Sequence, residues 1–177
     1  MTVIPSEQLR DAATRVFAER SSTFTDEAKA HEVQDYVDTL HAGRRMYAST
    51  LESLPEAAFV AQEPINGEEN WSAGQVMTHL VTAQGNMLGM AREGLGLEPV
   101  AAQEPGDMTA QPTRADVQAL LAQLNDSFDT FVANIPADAA LDNPIEHPHF
   151  GSMSPRAWLM LSTLHEGDHL NQIRALA

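Results

Sequence analysis

A chain of 177 residues with 43% hydrophobic content is long enough to bury one full core, and its length is that of a single domain. Cysteine is absent, which excludes disulfides, thiolate metal ligands and a cysteine nucleophile. Only 10 Lys+Arg stand against 25 Asp+Glu, a balance that disfavours a nucleic-acid partner, because binding a phosphate backbone needs clustered cations.

The opening "MTVIPSEQLRDAATRVFAER" has neither the basic start nor the apolar run of a secretory signal, and no segment approaches membrane-spanning length. A cytoplasmic protein without a membrane partner is the expectation. From Ser6 to Arg20, Leu9, Ala13, Val16 and Phe17 recur at helical intervals and predict a short amphipathic lead-in helix. From Glu27 to Leu54, Val33, Tyr36, Val37, Leu40, Tyr47 and Leu51 predict one long helix that Pro55 ends. "NWSAGQV" signs the start of the next helix: Ser72 and Gln75 form a capping box, and Trp71 can pack on Val76 as a hydrophobic staple. That helix runs to about Glu93 and contains Gly85 and Gly89, which mark either a close backbone approach or simple tolerance. After a long connection, Thr113 with Asp116 opens a helix carrying Val117, Leu121, Leu124, Phe128 and Phe131, which Pro136 closes. Ser154 and Pro155, an N-cap followed by the residue suited to the first helical position, open the last helix. No strand pattern stands out, and no Walker or Rossmann glycine spacing marks a nucleotide site. The expected fold is all-α: a four-helix bundle with a short extra N-terminal helix, its long loops covering one end.

On the last helix Trp158, Leu161, His165, His169 and Ile173 follow steps of three and four, so both imidazoles share the inward stripe. Four residues apart, they are close enough for one cation to bridge. His79, three residues after Val76 and four before Ala83, faces the same core from the second long helix. Three neutral imidazoles suit a divalent metal ion of the zinc or nickel type, with coordination positions left open. The plainer alternative is a set of hydrogen-bonded core histidines.

Two segments carry a resemblance to a known family. "NWSAGQVMTHL" resembles the W-S-x-x-x-x-x-x-H-L opening of the second helix in the DinB/YfiT-like metalloprotein superfamily. "HPHFGSMSPRAWLMLSTLHEGDHLNQI" resembles its closing segment, with the HP-x-x-G loop, the Trp and H-x-x-x-H-x-x-Q-I. The resemblance implies a four-helix bundle over residues 27–177, preceded by an N-terminal extension over 1–26. It also implies a three-histidine site for zinc or nickel at His79, His165 and His169, and it points to a homodimer. Members of known activity include transferases and isomerases that use low-molecular-weight thiols such as bacillithiol or mycothiol.

A bound cation can activate a thiol or a water near neutral pH, and spacing does not separate the two. The leading expectation is a metal-dependent transferase that takes an external low-molecular-weight thiol and an electrophilic small molecule as substrates. Its rivals are a metal-dependent hydrolase, a non-catalytic stress-associated metal-binding bundle, and a metal-free carrier. Gln172 could support the site from the same stripe. Glu166 and Asp168 project away from His165 and read as solvated surface. His147 and His149 read as rim or structural residues, His31 and His41 as surface. Arg44 and Arg45 read as salt-bridge partners of acidic residues, or as anchors for an anionic substrate. Met77, Met87, Met90 and Met160 read as core filling.

Overall fold

The computed structural model describes residues 2–60, 70–98, 101, 104, 106–110 and 112–177. The described residues form α1 (Ser6–Phe17), α2 (Phe24–Ala28), α3 (Val33–Ser53), a 3-10 turn (Glu56–Phe59), α4 (Ala73–Gly94), α5 (Arg114–Ala133), the strands β1 (Ile145–His147) and β2 (Gly151–Met153), and α6 (Pro155–Arg174). None of these helices is long and apolar enough to cross a membrane.

Local signals set the helix starts. In α4 the Gln75 amide donates to Ser72 Oγ and the Ser72 amide to Gln75 Oε1, and in α5 Thr113 and Asp116 make the same reciprocal pair. Ser154 Oγ accepts from the Ala157 amide at the start of α6, with Pro155 in the first turn. The helix expected from Glu27 to Leu54 is two helices. Thr23 caps α2 through the Asp26 amide, the chain turns through residues 29–32, and Glu32 with Asp35 forms a fresh capping box for α3. Two cap signals outweigh an apolar pattern that runs on across the break.

The strand hairpin was not expected. Ile145 pairs with Met153, Glu146 with Ser152 and His147 with Gly151, and Gly151 takes the left-handed φ of 68° that its lack of a Cβ permits. Three-residue strands are too short to show alternation. Thr25 ties this hairpin to α2: its hydroxyl donates to the Ser152 carbonyl and accepts from the Ser154 amide.

The long helices form a ring in the order α3, α5, α4, α6. Contacts fix their directions. Gly94 meets Pro155, Met87 meets Ser162 and His79 meets His165, so α4 and α6 are antiparallel. Arg114 binds the Leu51 and Leu54 carbonyls and His41 binds Asp129, so α3 and α5 are antiparallel too. Arg156 reaches the His31 carbonyl while Arg174 reaches Met46, so α3 runs parallel to α6. It follows that α4 and α5 are parallel, and the chain must return the length of the bundle between them, which is what the long connection is for. Pro112 at its end packs on Gly74 at the start of α4, close enough that a Cβ on Gly74 would collide with it.

The core has two apolar clusters. One joins Tyr36, Val37 and Leu40 to Leu88, Phe128 and residues 157–161; the other joins Tyr47 and Leu51 to Val76, Leu80, Leu121, Leu124 and Ile173. The N-terminal segment shares the first cluster through Ile4, Leu9 and Ala12, and the Thr2 and Ile4 amides donate to Asp38 and Thr39 on α3. Met77 and Met160 are buried, and Met87 and Met90 pack against the core, as expected of filling residues. A Cβ on Gly89 would meet open space, so no close backbone approach explains that glycine.

Candidate metal centre

The capping box starts α4 at Ala73, which puts His79 in its second turn; His165 and His169 lie in the second half of α6. Because the two helices run antiparallel, all three imidazoles meet. His79 Nε2 and His165 Nε2 are 3.0 Å apart, and the ring centroids lie at 5.0 Å (His79 to His165), 4.9 Å (His79 to His169) and 4.6 Å (His165 to His169). One ring nitrogen from each comes within 4.8 Å of the others, and among the described residues no carboxylate joins them.

Two nitrogen lone pairs repel at 3.0 Å unless a proton or a cation lies between them. With metal–nitrogen bonds of about 2.0–2.1 Å, two imidazoles on one cation sit about 2.9–3.4 Å apart as the angle between them runs from a right angle to tetrahedral. The His79–His165 spacing falls in that range, and a ring nitrogen of His169 lies within 4.8 Å of both. A neutral imidazole can also supply the intervening proton from its own ring N–H, so the contact fits either an N–H···N hydrogen bond or a shared cation. Burial pushes the His165 pKa down to about 3, and the neighbouring His169 and His79 push in the same direction. His165 is therefore a neutral imidazole, the form that binds metal.

His169 Nδ1 lies 2.8 Å from Gln172 Oε1; as donor in that bond it leaves Nε2 with its lone pair toward the other two rings. Trp71, read from sequence as a staple for Val76, has a further role. Its ring stacks over His169 at 6.2 Å with planes 10° apart and lies 5.0 Å from His79, forming an aromatic wall. Its place just before the capping serine was the available signal; that the chain turns it onto the histidines was not legible. Gln75 Nε2 donates to the Met108 carbonyl, which holds described residues of the long connection beside the start of α4.

Other candidates fall elsewhere. Glu166 corrects the sequence reading: it is 4% exposed rather than solvated, and its carboxylate is gripped by Arg44, itself 3% exposed. The predicted stripe of Trp158, Leu161, His169 and Ile173 is buried, but α6 buries a second face as well, toward α3, and Glu166 lies on it. Arg44 is thus a salt-bridge partner, as expected, but in the core. Asp168 and Arg45 are exposed. His147 packs on Phe150 and Trp158, and Trp158 lies seven residues before His165, about 10 Å along the helix. His149 is exposed beside it. His31 rests on Tyr36, and His41 bonds Asp129 at 2.8 Å at the edge of α3.

Residues 39–173 match the family model of the DinB superfamily. The chain belongs to that superfamily. The matched span contains all three histidines of the cluster, and DinB-like bundles are metal-associated, so the family and the donor geometry are compatible with one another. Neither a curated protein nor a solved structure matches the chain.

Proposed function

We propose that His79, His165 and His169 hold one divalent cation, zinc or nickel, and that this DinB-superfamily protein is a metal-dependent transferase for a low-molecular-weight thiol and an electrophilic small molecule. The observation that carries the reading is the 3.0 Å approach of His79 Nε2 to His165 Nε2, with His169 in reach. A divalent cation on three neutral ligands keeps its full charge for an arriving group and lowers the pKa of a thiol or water there. The chain's own part is preparation. Burial keeps His165 a free base, Gln172 selects the His169 tautomer, and Trp71 shields one side of the cluster from water. No cysteine is present to supply sulfur, so a thiol substrate has to come from outside.

Elemental analysis of protein purified without an affinity tag tests the site. About one zinc or nickel per chain is expected, lost in His169→Ala. A metal-free wild type that takes up neither ion removes the proposal. The thiol reading is tested on cobalt-loaded protein, whose visible spectrum should shift with a low-molecular-weight thiol. An unchanged spectrum over a series of thiols would remove the thiol reading and leave a hydrolytic or a non-catalytic metal site.

A further inference from the structure

Between the two apolar clusters the bundle carries a polar layer. Arg44 sits between Leu40 and Tyr47 on α3, and Glu166 between Leu161 and Leu170 on α6. Arg44 Nε and Nη2 donate to the two carboxylate oxygens of Glu166 at 3.0 and 2.7 Å, and Nη1 donates to the Leu124 carbonyl of α5 at 3.2 Å. The guanidinium lies over the Phe128 ring at 4.6 Å. Tyr47 completes the layer, its hydroxyl donating to the Glu166 carbonyl at 2.5 Å.

Stability does not explain this arrangement, because desolvating two charges offsets most of their attraction and apolar residues of similar volume serve as well. Orientation does. Apolar packing tolerates rotation of a helix about its axis, whereas a bidentate pair accepts one geometry. Glu166 follows His165 directly in sequence, about 100° further round α6, so whatever holds Glu166 toward α3 holds His165 toward α4. A 20° rotation at a side-chain radius of about 5–6 Å moves a ring by about 2 Å. Metal–ligand bonds tolerate about 0.2 Å.

We propose that Arg44 and Tyr47, acting through Glu166, are positioning residues that set the rotation of α6 and so aim His165 and His169 at His79. The metal readout of this proposal rests on the function proposed above; the ring-contact readout does not. The test is the full chain carrying Arg44→Met with Glu166→Leu, which removes both charges together. Expected are a folded protein whose melting temperature in chelator stays within a few degrees of wild type, loss of the His79–His165 ring contact by NMR or crystallography, and zinc affinity reduced about 10- to 100-fold in competition with a chromophoric chelator. A folded double variant that keeps the ring contact overturns the proposal, whether or not the wild type binds zinc. If the wild type binds no zinc and the variant still loses the contact, the metal reading fails and the positioning role stands. Should the double variant not fold, Glu166→Gln and Tyr47→Phe each remove one directional contact at nearly constant volume. Displaced His165 and His169 ring signals in both support the proposal, and unchanged signals in both overturn it.

Discussion

Single side chains separate two kinds of buried polarity in this protein. Gln172 is polar for a purpose the geometry names: its Oε1 lies 2.8 Å from His169 Nδ1. Gln172→Leu should leave the helix intact and weaken zinc binding about 10- to 100-fold, the usual cost of removing the partner of a metal-bound histidine. Isothermal titration against wild type reads it, and equal affinities would mean that the bond does not orient the ring. Gln84 is the opposite case. It is 2% exposed, and among the described residues neither its Nε2 nor its Oε1 has a hydrogen-bond partner. Leaving such a group unsatisfied costs about 1–3 kcal/mol, so Gln84→Met, of similar length, should raise stability by an amount of that order in urea unfolding. A destabilised variant would show that the amide is satisfied in solution.

At the scale of the helices, the caps of α2 to α6 both start each element and register its residues. Thr113→Ala removes the acceptor for the Asp116 amide and should cost about 1 kcal/mol. The same box links α5 to pH. Hydrogen bonds from Thr113, side chain first and then backbone, hold the Asp116 carboxyl below the ordinary aspartate value of 3.8. A carboxyl with a depressed folded pKa stabilises the fold above its unfolded value, and that contribution disappears as pH falls through the folded one. Asp116→Asn should therefore unfold with a shallower pH dependence than wild type below about pH 4, followed by helical circular dichroism. Matching slopes would show that the box does not persist in solution.

For the whole molecule, the candidate centre joins α4 to α6 across 86 positions of sequence. A cation held only by the folded state stabilises it by about 2.7 kcal/mol at a hundredfold excess over its dissociation constant. For a domain of this size, that corresponds to a melting temperature about 5–10 °C higher with zinc or nickel than with chelator. His165→Ala should abolish the difference. A wild type whose melting is indifferent to both would mean that the three rings meet only as core residues.

Most of the fold and the three histidines of the candidate site were legible from the amino acids, for one physical reason: the informative interactions are local. A cap binds three residues on and an apolar stripe recurs every three or four, so Ser72, Thr113 and Ser154 announced their helices, and His165 with His169 announced a shared face. His79, three residues after Val76 and four before Ala83, joined that pair by the same helical spacing, and the family motif agrees with it. Tertiary structure decided what depends on how helices are turned against one another. It packed α6 against α3 as well as α4, so that Glu166 entered the core and met Arg44 across 122 positions. It also laid Trp71 over the histidines and ran α4 parallel to α5, which accounts for the long connection. Helix rotation and packing order arise from contacts between distant segments, and sequence periodicity carries only the face, not the neighbour that covers it.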